Sequence, residues 1–75
     1  MGKYERLTEH LRQLSPPVSL TFSQIDSVVG GLPHSARHHR EWWANHRGNP
    51  QARGWMEAGL RVDVLSLSRE ASEVR

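Results

Sequence analysis

The segment from Ser35 to Gly59 constrains the fold more than any other part of the chain, because it contains all three tryptophans. Trp42, Trp43 and Trp55 would each remove on the order of 150–250 Å² of surface from water on burial. A chain of 75 residues is short enough that it buries only about 60% of its unfolded surface. Groups of this size are therefore expected to form the centre of the core.

The same segment concentrates positive charge. It holds four of the nine arginines and three of the five histidines, and Glu41 is the single acidic residue between Ser35 and Arg53. The net charge of +2 therefore understates the local field. Such a patch is typical of a surface that binds a polyanion, and a solvated arginine face is the alternative interpretation.

Length and composition predict one domain spanning residues 1–75. The absence of cysteine excludes disulfides and thiolate metal sites, so packing or self-association must stabilise the domain. No apolar stretch approaches the roughly 18 residues of a membrane helix. We expect a cytoplasmic protein with no membrane contact.

The first third of the chain predicts a helix, a strand and a second helix. Apolar residues at three- and four-residue spacing indicate an amphipathic helix from about Lys3 to Leu14, which the following Ser-Pro-Pro ends. Alternating apolar residues from Val18 to Phe22 predict a strand. Ser23 and Asp26 resemble a weak capping box for the second helix.

A Gly30-Gly31 corner ends that second helix and redirects the chain, as in a helix-turn-helix. A third helix is predicted from Pro33 to about Glu41, with one tryptophan of the adjacent pair buried and the other partly exposed. Asn49-Pro50 is a favourable start for a fourth helix, which we expect to end at Ala58 before Gly59.

The C-terminal part predicts a β-hairpin. Val62, Val64, Leu65 and Leu67 indicate a strand, and a short strand near Val74 would pair with it. The predicted order is helix, strand, two to three helices and hairpin. This order predicts an α+β fold, a small winged-helix-like domain.

Several motifs resemble a family of small, largely uncharacterised bacterial and phage domains. They are Ser35-Ala36-Arg37, Trp42-Trp43-Ala44-Asn45, Gln51-Ala52-Arg53-x-Trp55 and Ala58-Gly59. The resemblance covers nearly the whole chain. It implies a winged-helix-like fold and a role in nucleic-acid binding, as in a transcriptional regulator or a phage or defence regulator.

The residues themselves suggest how duplex DNA would be bound. Arginines can neutralise phosphates, and the carboxamides of asparagine and glutamine match the adenine edge in the major groove. We expect Arg37 and Arg40 to reach the groove and Arg47 and Arg53 to hold the flanking backbone. The predicted nucleic-acid-binding set is Ser35, Arg37, His38, Arg40, Asn45, Arg47, Gln51 and Arg53.

The sequence also bears on three other functions. His34 and His38, with His39 or His46, could approach a metal, but no carboxylate or cysteine completes a ligand set, so we expect no metal and no cofactor. No nucleophile, base and orienting acid can be assembled, so we expect no enzyme activity. The main alternative is a protein-interaction module with an exposed tryptophan and arginines, as a homodimer or with a partner protein.

Overall fold

The structure is a computed structural model in which residues 2–75 are described. These residues form four α-helices, one 3₁₀ helix and three strands. In chain order they are α1 (Lys3–Arg12), β1 (Val18–Thr21), α2 (Phe22–Val29), α3 (His34–His38), the 3₁₀ helix η1 (Arg40–Trp43), α4 (Pro50–Met56), β2 (Val62–Ser66) and β3 (Ala71–Val74). The predicted α+β class is confirmed.

The three strands form one antiparallel sheet in the order β1-β3-β2. The predicted hairpin is β2 and β3, and β1 pairs with the far side of β3. Val18, Val74 and Val62 lie in one row across the sheet, on the side that packs against the core. A register shift between Val62 and Val64 places an irregularity near the start of β2.

Stacked aromatic rings form the centre of the core. The ring of Trp43 lies between those of Phe22 and Trp55, with centroid distances of 4.9 and 5.9 Å and nearly parallel planes. Leu7 and Leu11 of α1 pack in the same cluster. The expectation that the tryptophan segment forms the core is confirmed, since Trp43 and Trp55 are buried and Trp42 is half-buried.

The start of α2 differs from the predicted one. The N-cap is Thr21, whose hydroxyl accepts from the Gln24 N–H while the Gln24 side chain accepts from the Thr21 N–H. The prediction of Ser23 and Asp26 as the capping pair was therefore wrong by two residues. Because the helix begins at Phe22, that side chain is placed in the core rather than at the end of a strand.

The predicted third helix is broken into two short pieces. α3 ends at His38 because His39 has an extended backbone, with φ −128° and ψ 118°, and η1 begins at Arg40. This break lets the chain fold back, so that the indole Nε1 of Trp43 donates to the Ala36 carbonyl at 2.7 Å. A continuous helix to Glu41 was therefore an incorrect prediction.

α4 begins at Pro50 as predicted but ends at Met56, two residues before Ala58. A left-handed Gly59 (φ +80°) then redirects the chain, and the Leu60 N–H bonds to the Trp55 carbonyl. No helix within residues 2–75 is both long and apolar enough to cross a membrane.

Candidate nucleic-acid interface

α3 presents two of the predicted site residues to solvent. Ser35 and His38 are exposed, and Ala36 between them is fully buried against the core. The imidazoles of His34 and His38 lie one helical turn apart and stack, with ring centroids 4.0 Å apart. α3 is therefore held by one small apolar residue and displays an imidazole pair on its surface.

Arg37 is engaged in a network within the protein. Its Nη1 lies 2.8 Å from a carboxylate oxygen of Glu70, and its Nη2 lies 3.5 Å from Asp26 Oδ2. The same Asp26 oxygen accepts the N–H of Leu32 at 2.8 Å. Arg37 thus joins α3 to α2 and to the turn between β2 and β3, and its charge is balanced by two carboxylates.

Asn45 is half-buried and uses both ends of its carboxamide inside the protein. Oδ1 accepts from Trp55 Nε1 at 2.9 Å and from the Val62 N–H at 2.8 Å, and Nδ2 donates to the Val62 carbonyl at 2.9 Å. An adenine contact by Asn45 would require breaking these bonds. The structure therefore gives this residue a role in packing α4 against β2.

Gln51 has a similar position. It is half-buried at the start of α4, and its Nε2 donates to the Trp42 carbonyl at 3.1 Å. This bond fixes the end of η1 to α4. The sequence predicted that Asn45 and Gln51 contact adenine. In the structure, Asn45 bonds to the Trp55 indole and Gln51 bonds to the Trp42 carbonyl.

Arg40 lies beside β2, and Arg47 lies in the loop before α4. An Arg40 Nη2 donates weakly to the Leu65 carbonyl at 3.4 Å, while Asn45 bonds to Val62 at the other end of the strand. The chain from Arg40 to Asn45 therefore runs along the outer edge of β2. Arg47 follows in the loop before α4 and is exposed.

Arg53 lies elsewhere, in a groove of about 430 Å³ between α1 and α4. It is 62% exposed and makes a long contact of 3.5 Å with Glu57. Tyr4 lines the same groove, and burial raises the pKa of its hydroxyl. The structure thus separates Arg53 from the residues of α3.

Ion pairing leaves an excess of unpaired cations. The chain has ten Lys and Arg residues and eight Asp and Glu residues. Among residues 2–75, only four arginines (Arg12, Arg37, Arg53 and Arg75) form ion pairs, yet they engage six of the eight acids. Six cations remain without an ion-pair partner in this part of the chain: Lys3, Arg6, Arg40, Arg47, Arg61 and Arg69.

Three of these six cations lie beside β2 or at its ends, and a fourth lies in the loop before α4. We call Arg40, Arg47, Arg61 and Arg69 the β2 cation set: Arg40 contacts the outer edge of the strand, Arg47 follows Asn45 by two residues, Arg61 precedes the strand and Arg69 lies in the following turn. All four are exposed. Sequence reasoning missed Arg61 and Arg69 because both lie outside the tryptophan segment, and only the structure shows that neither forms an ion pair in the described part of the chain.

Titratable residues do not cluster as a metal site. Among residues 2–75, no group of three or more His, Cys, Asp or Glu side chains is arranged to hold a metal ion. The stacked pair supplies two imidazoles, whereas zinc sites in proteins use three or four ligands.

Comparison with known proteins places the chain in a family. Residues 4–75 match a family model described as Domain of unknown function (DUF7662), and the chain belongs to that family. The expected membership in a family of small, uncharacterised domains is therefore confirmed. No curated protein and no solved structure matched the chain.

Proposed function

We propose that this chain is a winged-helix-like module that binds nucleic acid, with double-stranded DNA as its ligand. The observation that carries the proposal is the charge asymmetry: six of eight acids are engaged by four arginines, and six cations remain unpaired among residues 2–75. Exposed arginines suit phosphate contacts because the guanidinium group is weakly hydrated and bonds bidentately.

The element order supports the winged-helix-like interpretation. A helix and a strand are followed by two helices, a short α4 and a hairpin, and the first strand completes the sheet beside β3. In helix-turn-helix proteins the second helix of the motif enters the major groove. α3 holds that place in the chain order, and at five residues it offers only Ser35, His38 and His34 as exposed polar groups.

The placement of the aromatic residues favours duplex over single-stranded nucleic acid. Proteins that bind single strands use exposed aromatic side chains on which bases stack. Here Phe22, Trp43 and Trp55 are buried, and Trp42 and Tyr4 are half-buried and pack edge to face. The exposed cations near β2 are therefore better suited to a phosphate backbone than to unpaired bases.

The structure also changes which residues we propose for the contact. Arg40 and Arg47 remain, and Arg61 and Arg69 join them. Arg37 has two carboxylate partners, and the carboxamides of Asn45 and Gln51 are occupied. With the two predicted adenine readers engaged inside the protein, binding should depend mainly on phosphates and vary little with DNA sequence.

A protein-interaction module built on an exposed tryptophan has less support. Trp43 is 3% exposed and bonded to the Ala36 carbonyl, and Trp42 is half-buried against Tyr4. A hot spot needs an aromatic anchor that a partner can enclose. Only the exposed part of Trp42 offers this.

The test is a salt titration of affinity for a random duplex. Wild type, Arg40→Ala and Arg47→Ala are compared with Arg12→Ala, an exposed arginine whose guanidinium pairs with Glu9 at 2.9 Å. Each phosphate contact contributes about 0.9 to the slope of log affinity against log salt. Arg40→Ala and Arg47→Ala should each lower that slope by about one, and Arg12→Ala should leave it unchanged.

Two results would count against the proposal. If wild type fails to bind duplex DNA even at low salt, the nucleic-acid function is wrong, and the Trp42 edge becomes the surface to pursue with protein partners. If all three variants lose affinity equally, DNA is attracted by the net charge of the protein rather than by the β2 cation set.

A further inference from the structure

The geometry points to a specific phosphate contact on α3: the stacked imidazoles of His34 and His38 bind one backbone phosphate of the duplex and take up protons as they do so. This contact rests on the proposed function, since it deepens how the same module holds DNA. It assigns to the imidazole pair a ligand class, the phosphate diester, and it makes affinity depend on pH.

The pair is arranged for a shared ligand. The two rings lie on successive turns of α3, with centroids 4.0 Å apart and planes tilted by 25°. Both residues are exposed, and neither ring has a hydrogen-bond partner among residues 2–75. Their N–H groups are therefore available to one external acceptor, and a phosphate offers several oxygens.

Neighbouring charges leave this position open to an anion. On α3 itself, Arg37 is paired with Asp26 of α2 and with Glu70 of the β2–β3 turn, so those carboxylates are already engaged. The segment that packs against α3 adds His39, Arg40 and Glu41, all exposed. Asp26 and Glu70 thus balance Arg37 rather than the imidazoles, and Glu41 of η1 is the one acid of the adjoining segment that forms no ion pair within residues 2–75.

Two charged imidazoles this close repel each other. At about 4 Å the repulsion between unit charges is roughly 1 kcal/mol in water and greater where solvent is excluded. A phosphate bound at the edges of the two rings offsets this repulsion. Since charged imidazoles hold an anion more tightly than neutral ones, the anion and the protons should bind together.

The other histidines lack this arrangement. His46 accepts the Gly48 N–H on Nδ1 at 3.0 Å, and a charged imidazole has no acceptor nitrogen. Protonation at that nitrogen would cost the loop a hydrogen bond. His10 lies half-buried on α1 rather than on α3. His10 is therefore a control for losing an imidazole outside the stacked pair.

The experiment measures duplex affinity across a salt series at pH 7.5 and pH 5.5 for wild type, the double variant His34→Gln/His38→Gln, and His10→Gln. The salt slope of wild type should be steeper than that of the double variant. The difference between the two slopes should grow by up to about 1.8 from pH 7.5 to pH 5.5, since each positive charge added to the pair contributes about 0.9. His10→Gln should follow wild type. NMR gives a test that needs no substitution. The imidazole Cε1–H resonances of His34 and His38 in wild type should shift when the duplex is added, and inorganic phosphate is added in a separate titration.

The outcomes separate the contact from the function. If the double variant binds DNA and its salt slope becomes steeper at pH 5.5 as much as that of wild type, the proposed imidazole contact is wrong and the proposed function survives. If wild type binds no duplex at either pH, both are wrong. Imidazole resonances that shift with inorganic phosphate but not with the duplex also overturn the assignment to the DNA backbone.

Discussion

The carboxamide of Asn45 is bonded to the indole of Trp55, with 2.9 Å between Oδ1 and Nε1. The same side chain bonds both the N–H and the carbonyl of Val62. β2 is an outer strand of the sheet, so Asn45 occupies the position that a further strand would fill. One side chain therefore accepts the indole N–H of a core tryptophan and also bonds to the free edge of the sheet.

Replacing Asn45 with alanine should destabilise the fold by about 2–4 kcal/mol, because the Trp55 N–H and the Val62 groups lose their partners. Asn45→Asp keeps an oxygen for the Trp55 and Val62 N–H groups but sets a second oxygen against the Val62 carbonyl, so it should also destabilise the fold. Urea unfolding followed by tryptophan fluorescence measures both. An Asn45→Ala protein that unfolds at the wild-type midpoint would show that the bonds do not stabilise the fold.

Trp55 should be the most costly core residue to remove. It is 1% exposed and Trp43 is 3% exposed, so both are buried. Trp55→Ala should cost about 3–5 kcal/mol, while a domain of 75 residues has a stability of about 4–11 kcal/mol. Calorimetry should show a weak or absent transition, and Trp42→Ala, at a half-buried site, should unfold cooperatively. A wild-type transition in Trp55→Ala would contradict this.

The order of elements could be predicted from local signals. Apolar periodicity located α1, the Gly30-Gly31 corner located the end of α2, and Asn49-Pro50 located the start of α4. These signals lie within a few residues of the boundaries they set. The break at His39 carries no such signal in the sequence, and it accompanies the hydrogen bond from the Trp43 indole to the Ala36 carbonyl.

The candidate site was harder to predict because it depends on partners distant in sequence. Arg37 is neutralised by residues 11 and 33 positions away, and Asn45 bonds to residues 10 and 17 positions away. From the sequence alone, arginine and asparagine are both residue types that contact DNA. Only the fold shows which polar groups are already satisfied and which cations remain unpaired.

Close packing of α1 against α4 should make Gly54 intolerant of a side chain. A Cβ there would lie 3.1 Å from the Tyr4 carbonyl oxygen, and the Thr8 hydroxyl donates to the Gly54 carbonyl at 2.6 Å. Alanine favours a helix by about 1 kcal/mol over glycine, but moving α1 should cost more. We expect Gly54→Ala to lose about 1–2 kcal/mol.

The control for this helix contact is Arg53→Ala, at the exposed neighbouring position of α4, which should change stability by no more than about 0.5 kcal/mol. Thermal unfolding of the two variants and wild type gives the comparison. Equal or greater stability of Gly54→Ala would mean that α1 moves freely, and that helix propensity outweighs the close approach.

Alkaline pH should weaken the fold through Tyr4. Burial raises the pKa of its hydroxyl above the ordinary value of about 10, so the unfolded chain ionises first as the pH rises. The unfolded state then binds fewer protons than the folded state, and stability present below pH 10 is lost as the pH passes through the raised pKa. Tyr4→Phe should lose less stability than wild type between pH 9 and pH 11 in urea unfolding. Tyr4 is the only tyrosine, so tyrosinate absorbance titrates it alone, and a midpoint at or below 10 would contradict the role of burial.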